Sequence, residues 1–389
     1  MLLDLLQAKG VITQSEAAEF TKALEDKKAV AAPAEDDHYH SVQSLADRVE
    51  RLERKPDQGA GKVLGKKVDL SGLIEVDMTS NRTKDSAGKK ANNNDVNLST
   101  AQLSADATIN QYVNTRLTLL YEEDPADSGN SNVTLDEAVI GLNGDESCPA
   151  SANLGRMYVP FGHFESHFIT DPLTLALGET NDTAVVAGYA NDIIDLSAGM
   201  LRGKVKETGK SDHINTAVAS AIISLPKANE EGLTLSSGVS YLSNLAASDA
   251  LTDANDEGGT TAGEVADTVD GMSAFLSLSY AERFFFNAEY LGALDDFAEG
   301  DFEFIDARNR RPQTWNLEAA ARVIDKLEFA LRYGGSDEGG ENFLADNEYG
   351  TALLYDIFDK TSLTVEYLFQ EFRDNSNDSR ATMQVAVEF

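Results

Sequence analysis

The sequence predicts an all-β protein: a transmembrane, up-and-down antiparallel β-barrel of about sixteen strands, preceded by a short helical segment. Three observations predict it. Polar and apolar residues alternate with period two over many segments, the signature of a ribbon with one wet and one greasy face. Several segments reach ten residues or more, where soluble strands run about five to six and tilted membrane strands need about nine to eleven. The chain also ends on its most regular alternation: Met383, Val385, Val387 and Phe389 share one face, and Thr382, Gln384, Ala386 and Glu388 the other.

Residues 1–28 read as helix–turn–helix. Leu2, Leu3, Leu5 and Leu6 form an apolar group that Gly10 breaks. Thr13 then stands at a capping position with Glu16 at capping-box spacing, and Ala17, Phe20, Thr21 and Leu24 follow at helical spacing. Residues 29–40, rich in Ala, Pro and Asp, read as a linker. Residues 41–56 form a second helix in which Leu45, Val49 and Leu52 repeat at four and three residues. That spacing fits a short coiled-coil seam, and with it a homotrimer joined at the periplasmic mouth; it equally fits an amphipathic helix resting on that mouth. Pro56, Gly59, Gly61 and Gly65 make a flexible joint. Residues 1–65 are thus expected as a periplasmic helical segment and linker, and residues 66–389 as the barrel.

Within the barrel the alternation marks strands over 67–79, 95–109, 112–123, 132–143, 151–159, 181–190, 193–204, 212–224, 232–245, 270–280, 282–292, 313–323, 326–335, 348–357, 360–371 and 379–389. An even count suits a single-chain bacterial barrel. Tight turns at Ala281-Glu282, Ile324-Asp325 and Asp359-Lys360 alternate with longer polar loops at 80–94, 124–131, 246–269, 293–312 and 336–347. Tyr121, Tyr241, Tyr280, Tyr290, Tyr333 and Tyr367 stand at strand ends, where aromatic girdles meet the two membrane surfaces.

Composition agrees. The hydrophobic fraction of 42% excludes a disordered chain. No apolar run is long enough for a spanning helix, and a barrel needs none, because half of each strand faces water. Asp and Glu number 66 against 32 Lys and Arg, a net charge of −34, which argues against nucleic acid as a partner. The excess fits loops facing lipopolysaccharide through bridging divalent cations, and fits simple solubility of long loops as well. Cys148 is the single cysteine, so neither an intrachain disulfide nor a multi-cysteine zinc site is expected. Residues 1–10 show neither a basic n-region nor a long apolar h-region, so an outer-membrane destination implies a secretory leader upstream of Met1.

One stretch departs from plain strand. Gly155-Arg156-Met157-Tyr158-Val159-Pro160-Phe161-Gly162-His163-Phe164-Glu165-Ser166-His167 runs into Phe168-Ile169-Thr170-Asp171-Pro172-Leu173-Thr174-Leu175-Ala176-Leu177-Gly178-Glu179-Thr180. Pro160 and Pro172 cannot sit in a central ladder, and Gly162 and Gly178 permit tight bends. The stretch is too apolar for a solvated loop, so residues 160–179 are expected to fold inward against the barrel wall and set the narrowest point. These blocks resemble the signature of the LbtU-type siderophore porins, as do Ser71-Gly72-Leu73-Ile74-Glu75-Val76, Leu119-Leu120-Tyr121-Glu122-Glu123 and Leu135-Asp136-Glu137-Ala138. The terminal Phe389 likewise resembles the C-terminal signal of bacterial outer-membrane barrels. The resemblance implies an outer-membrane channel and siderophore import.

The expected function is passive uptake of small solutes through the outer membrane, with membrane lipid and lipopolysaccharide as surroundings. The competing readings are a barrel that sheathes a partner and a structural or adhesive protein. The pore and constriction candidates are Arg116, Arg156, Glu165, Asp171, Glu179 and Arg332: opposed guanidinium and carboxylate groups across a lumen select by charge. The same residues would serve as buried ion pairs pinning the segment to the wall. His163 and His167, four apart, lack an evident third ligand, so no metal or cofactor is expected. No Ser–His–Asp, Cys–His or phosphate-loop arrangement supports catalysis.

Overall fold

The computed structural model describes residues 68–123, 132–145, 148–211, 213–225, 232–259, 261–308 and 310–389. The helices expected over 1–28 and 41–56, with the linker and the joint, lie outside the described residues. The strands are β1 (Val68–Lys84), β2 (Lys90–Asn110), β3 (Val113–Tyr121), β4 (Thr134–Asp145), β5 (Cys148–Tyr158), β6 (Asn181–Ala190), β7 (Ile194–Leu201), β8 (Lys206–Glu207), β9 (Thr216–Leu225), β10 (Leu233–Leu242), β11 (Glu264–Val265), β12 (Gly271–Tyr280), β13 (Phe284–Ala293), β14 (Gln313–Ile324), β15 (Leu327–Asp337), β16 (Asn347–Phe358), β17 (Thr361–Glu371) and β18 (Asn377–Glu388). All but the short β8 and β11 join one closed barrel of sixteen strands, each paired with its chain neighbours in the barrel.

The alternation sets which way each side chain points. Along β18, Gln384 and Ala386 are 5% and 6% exposed, whereas Met383, Val385 and Val387, at 38–39%, face outward. The seam with β1 keeps this sorting: Val76 opposes Val385 and Met78 opposes Met383 outside, while Asp77 opposes Gln384 inside. Gly72 and Phe389 exchange both backbone hydrogen bonds at 3.0 Å. A Cβ on Gly72 would lie 2.3 Å from the Phe389 ring, so glycine makes the room that the terminal aromatic occupies.

Outward aromatics form two belts. Tyr241, Tyr290, Tyr333, Tyr349 and Tyr367 stand toward the loop end, and Tyr112, Tyr189, Tyr280, Phe284, Tyr355, Phe358 and Phe389 toward the turn end. Tyr333 and Tyr349 are directly paired across strands, with ring centroids 5.4 Å apart.

Two loop expectations are corrected. The stretch 80–94 is not an open loop: β1 and β2 stay in register out to Lys84 opposite Lys90, leaving a five-residue connection over 85–89. Its arms are polar on both faces, so no alternation betrays the pairing. The stretch 246–269 is largely folded, with a 3₁₀ turn at Leu245–Ala247 and a helix at Asp249–Gly258, designated α2.

The apolar core lies inside the loop end of the barrel rather than in its wall. Phe161 and Leu177 from the β5–β6 connection pack with Leu201, Leu242, Leu245, Leu251, Leu291, Phe297 and Phe302, all almost fully buried. Phe297 meets Phe302 edge-on at 4.9 Å, and Phe304 stacks on Phe343 at 4.2 Å. The parallel β8–β11 pair ties two of these connections together.

Candidate functional site

Between β5 and β6, residues 159–180 leave the wall and cross the inside of the barrel. The local chemistry forces the departure. Gly162 has φ +84°, and a Cβ there would lie 2.0 Å from the Phe164 ring. Phe164 itself sits at φ +57°, a backbone state that a non-glycine side chain holds only when its surroundings impose it. Pro172 precedes a short helix, α1 (Leu173–Gly178), whose end is closed by the Glu179 amide donating to the Leu175 carbonyl.

Inward-facing glutamates of the wall impose this path by taking up the segment's backbone donors. Glu289 on β13 accepts from the amides of His163 at 2.7 Å and Phe164 at 3.0 Å, and from the hydroxyls of Thr174 and Ser273. Glu318 on β14 accepts from the His167 amide at 2.7 Å and the Ser166 hydroxyl at 3.0 Å. Glu366 on β17 accepts from the amides of Ile169 and Thr170 and from the Thr170 hydroxyl. A segment with no ladder of its own thus has its buried donors satisfied by charged acceptors, the stronger kind of hydrogen bond.

Between these clamps Phe168 drops into a socket of small wall residues, Ala320, Ala330 and Ala352. A Cβ on Gly350 would come within 2.5 Å of its ring. The Arg332 guanidinium covers the ring's other side at 4.3 Å. Arg332 also donates to Glu318 at 2.9 Å, to Glu348 at 3.2 Å and to the Asp171 carbonyl at 3.3 Å.

The six candidates therefore separate. Arg332 is fully buried behind the segment, with Glu318 and Glu348 as partners, and pins rather than lines. Glu165 is also turned to the wall, 3.3 Å from His163, whose ring stacks on Phe275 at 3.9 Å. Arg116 lies away from the segment, paired with Asp106 at 2.8 Å. Arg156 shares the strand face of Leu154, opposite to Met157 in the core, and donates to the Asp136 carbonyl at 3.3 Å. Asp171 stands on the exposed edge of the segment, and Glu179 is half-buried near its end.

That edge faces other carboxylates. Burial first, and then Asp171, Asp249, Asp136 and Glu122, push the Glu179 carboxyl up to about 8. Glu122 is raised likewise, by burial and then by Asp136, Asp171 and Glu75. Asp136 joins this group through a bulge in β4, which sets two residues, Asp136 and Glu137, into the space of one and leaves both buried. Tyr158 donates to Asp136 at 2.9 Å.

The two histidines do not converge. His167 donates from Nδ1 to Glu328 at 2.7 Å, both groups being buried. Burial alone would depress this imidazole, but Glu328, Glu318 and Glu165 outweigh it and hold its pKa above the ordinary value. Beside the segment's tip lies a cavity of about 490 Å³, bounded by Asp77, Arg380 and Thr382 on the wall, by Asp171 and Leu173 on the segment, and by Phe343 above.

No family model matches the chain. It is similar to a UPF0422 protein of Coxiella burnetii (strain RSA 493 / Nine Mile phase I), 26% identical over 287 residues, 71% of this chain and 59% of that protein. A UPF0422 protein of Legionella pneumophila subsp. pneumophila (strain Philadelphia 1) is 23% identical over 265 residues, 64% of this chain and 48% of that one. The chain spans about half the length of these curated relatives. Among solved structures it resembles the outer membrane channel DcaP of Acinetobacter baumannii, with TM-score 0.57, 16% identity, and coverage of 83% of this chain and 97% of that one. It also resembles an anion-selective porin from Comamonas acidovorans, with TM-score 0.54, 13% identity, and coverage of 83% and 99%. At these identities the likeness concerns the fold, which is that of a sixteen-stranded outer-membrane porin barrel.

Proposed function

We propose that the chain forms a passive pore for small solutes in the outer membrane, with residues 159–180 as its constriction. The supporting observation is the way Glu289, Glu318 and Glu366 hold the segment across the inside of a closed barrel while Asp171 stands exposed on it and Glu179 is half-buried near its end. On this reading Asp171 and Glu179 set charge selectivity, and Arg332 and Glu165 fix the segment. Arg116 acts from the wall, while Arg156, on the outward strand face with Leu154, stands outside the pore. Carboxylates along the edge favour cations and neutral solutes. Siderophore uptake, which the sequence resemblance implies, belongs to this same pore as its more specific use. A homotrimer is proposed from the Leu45, Val49 and Leu52 spacing alone. Deleting residues 1–60 should then lower the assembly mass on native electrophoresis, and an unchanged mass counts against it.

Single-channel recording in planar bilayers tests the pore. Asp171→Asn, and Glu179→Gln at a pH above 8, should shift selectivity toward anions, while an equivalent change within 246–269 should not. Zero conductance from a correctly inserted barrel would favour a sheath or adhesive role. Unaltered conductance and selectivity after deleting 163–177 would remove the constriction from this segment.

A further inference from the structure

The cavity of about 490 Å³ beside the segment's tip has the build of a solute site. Its volume lies within the roughly 300–1,000 Å³ of small-molecule pockets. Its polar groups sit on one inner wall in a fixed register. Asp77 opposes Gln384, Thr79 opposes Thr382, and Asn81 opposes Arg380. Asp77 is 8% exposed, and its Oδ1 is buried with no hydrogen-bond partner. Arg380 donates from Nη2 to Thr170 at 3.1 Å, its buried Nε has no partner, and among the described residues it makes no ion pair. The cavity is thus lined by a carboxylate at one end and a guanidinium at the other, each with one buried atom left unsatisfied. Leu173, Phe343 and Phe372 make its flank apolar.

We propose that this cavity binds short zwitterionic peptides, with the ammonium end at Asp77 and the carboxylate end at Arg380. The assignment rests on the pore reading above and names a solute class for it. Asp77 and Arg380 lie four residues apart along the paired strands, about 13 Å between Cα positions. With both side chains standing off the wall, two hydrogen bonds of about 2.8 Å leave a span of about two extended residues, at roughly 3.5 Å each. A free amino acid carries both charges on one carbon and cannot meet both ends. A simple monovalent ion leaves one end and the apolar flank unused. A dipeptide with an aliphatic side chain satisfies all three features, and a guanidinium is suited to receive its terminal carboxylate.

The test uses the full-length protein in planar bilayers with L-alanyl-L-leucine as probe. Current blockades should appear, and their dwell time should fall at least tenfold with the N-acetyl or the C-amide derivative. Arg380→Gln and Asp77→Asn should each shorten them similarly, and Asp325→Asn, on a far turn, should not. Equal blockades from all three peptides, or dwell times unmoved by both variants, would overturn the site while leaving the pore intact. A barrel that inserts but never conducts would defeat the pore reading itself. Calorimetry in detergent micelles then decides the site: peptide binding lost in both variants upholds it, and no binding to the native protein overturns it.

Discussion

Replacing Glu289 by alanine should free the constriction segment without opening the barrel. Glu289 accepts four hydrogen bonds, two from segment amides, one from Thr174 and one from Ser273. The hydroxyls can rotate to other acceptors, so their loss costs about 1 kcal/mol each. The His163 and Phe164 amides cannot move, and leaving each unsatisfied costs about 1–3 kcal/mol. The strain of Phe164 at φ +57° belongs to the clamped state with or without Glu289, so it drops out of the difference. Ser273 is itself on the wall, so the segment loses about 3–7 kcal/mol of clamping, or roughly a hundredfold to a hundred-thousandfold in the opening equilibrium. The wall ladder on either side of β13 is untouched, because its bonds are made by backbone. Hydrogen exchange followed by mass spectrometry should show peptides within 159–180 exchanging about a hundredfold faster or more, while β12–β14 peptides keep their rates. Single-channel records should gain flicker. Unchanged protection of 159–180 in a folded Glu289→Ala barrel would refute the claim that wall carboxylates hold the segment.

Further outcomes test separate parts of the architecture. Val385→Arg, on the outward face of the seam, should cost about 2–4 kcal/mol if mid-bilayer, read from urea titration of folding into lipid vesicles. Gly350→Ala should drive its new Cβ into the Phe168 ring and cost about 1–3 kcal/mol by the same titration; pairing it with Phe168→Leu should recover part of the loss. Glu179 is mostly protonated at pH 7 and ionised by pH 9, so reversal potentials should show cation preference rising across pH 8, and Glu179→Gln should flatten the profile. The same shift has a linked consequence for stability. The folded state holds a proton that the unfolded carboxyl releases near 4.5, so this group's contribution is greatest below pH 4.5 and is lost as pH rises toward 8.

The barrel is legible in the sequence because period-two patterning is a direct consequence of strand geometry. Leu327, Phe329, Leu331 and Tyr333 could face one way only if Glu328, Ala330 and Arg332 faced the other, and the structure orients them so. The hairpin over 80–94 escaped because it is polar on both sides. Patterning also names the inward residues without naming what they meet. Glu318, Glu366 and Arg332 read as lumen charges, yet they end buried against a segment that arrives from β5. One signal pointed that way: Ala320, Ala330, Gly350 and Ala352 occupy inward positions where polar residues predominate elsewhere, and small inward residues mark a place where something packs closely. The bulge at Asp136 left no trace in composition, and neither did the carboxylates that gather around Glu179.

The paired Gly72 and Phe389 backbones join the first and last strands of the described barrel. Until that junction forms, β1 and β18 are both open edges, able to template pairing with any other chain. Closure also depends on contacts of the longest sequence separation in the barrel, which makes it an intrinsically slow step. A nascent chain therefore carries two adhesive borders for the whole interval before Phe389 docks on Gly72. Assembly is safe only where solvent-borne encounters are suppressed, so the lipid-facing aromatic ring seated on Gly72 acts as the clasp whose engagement ends the period of aggregation risk.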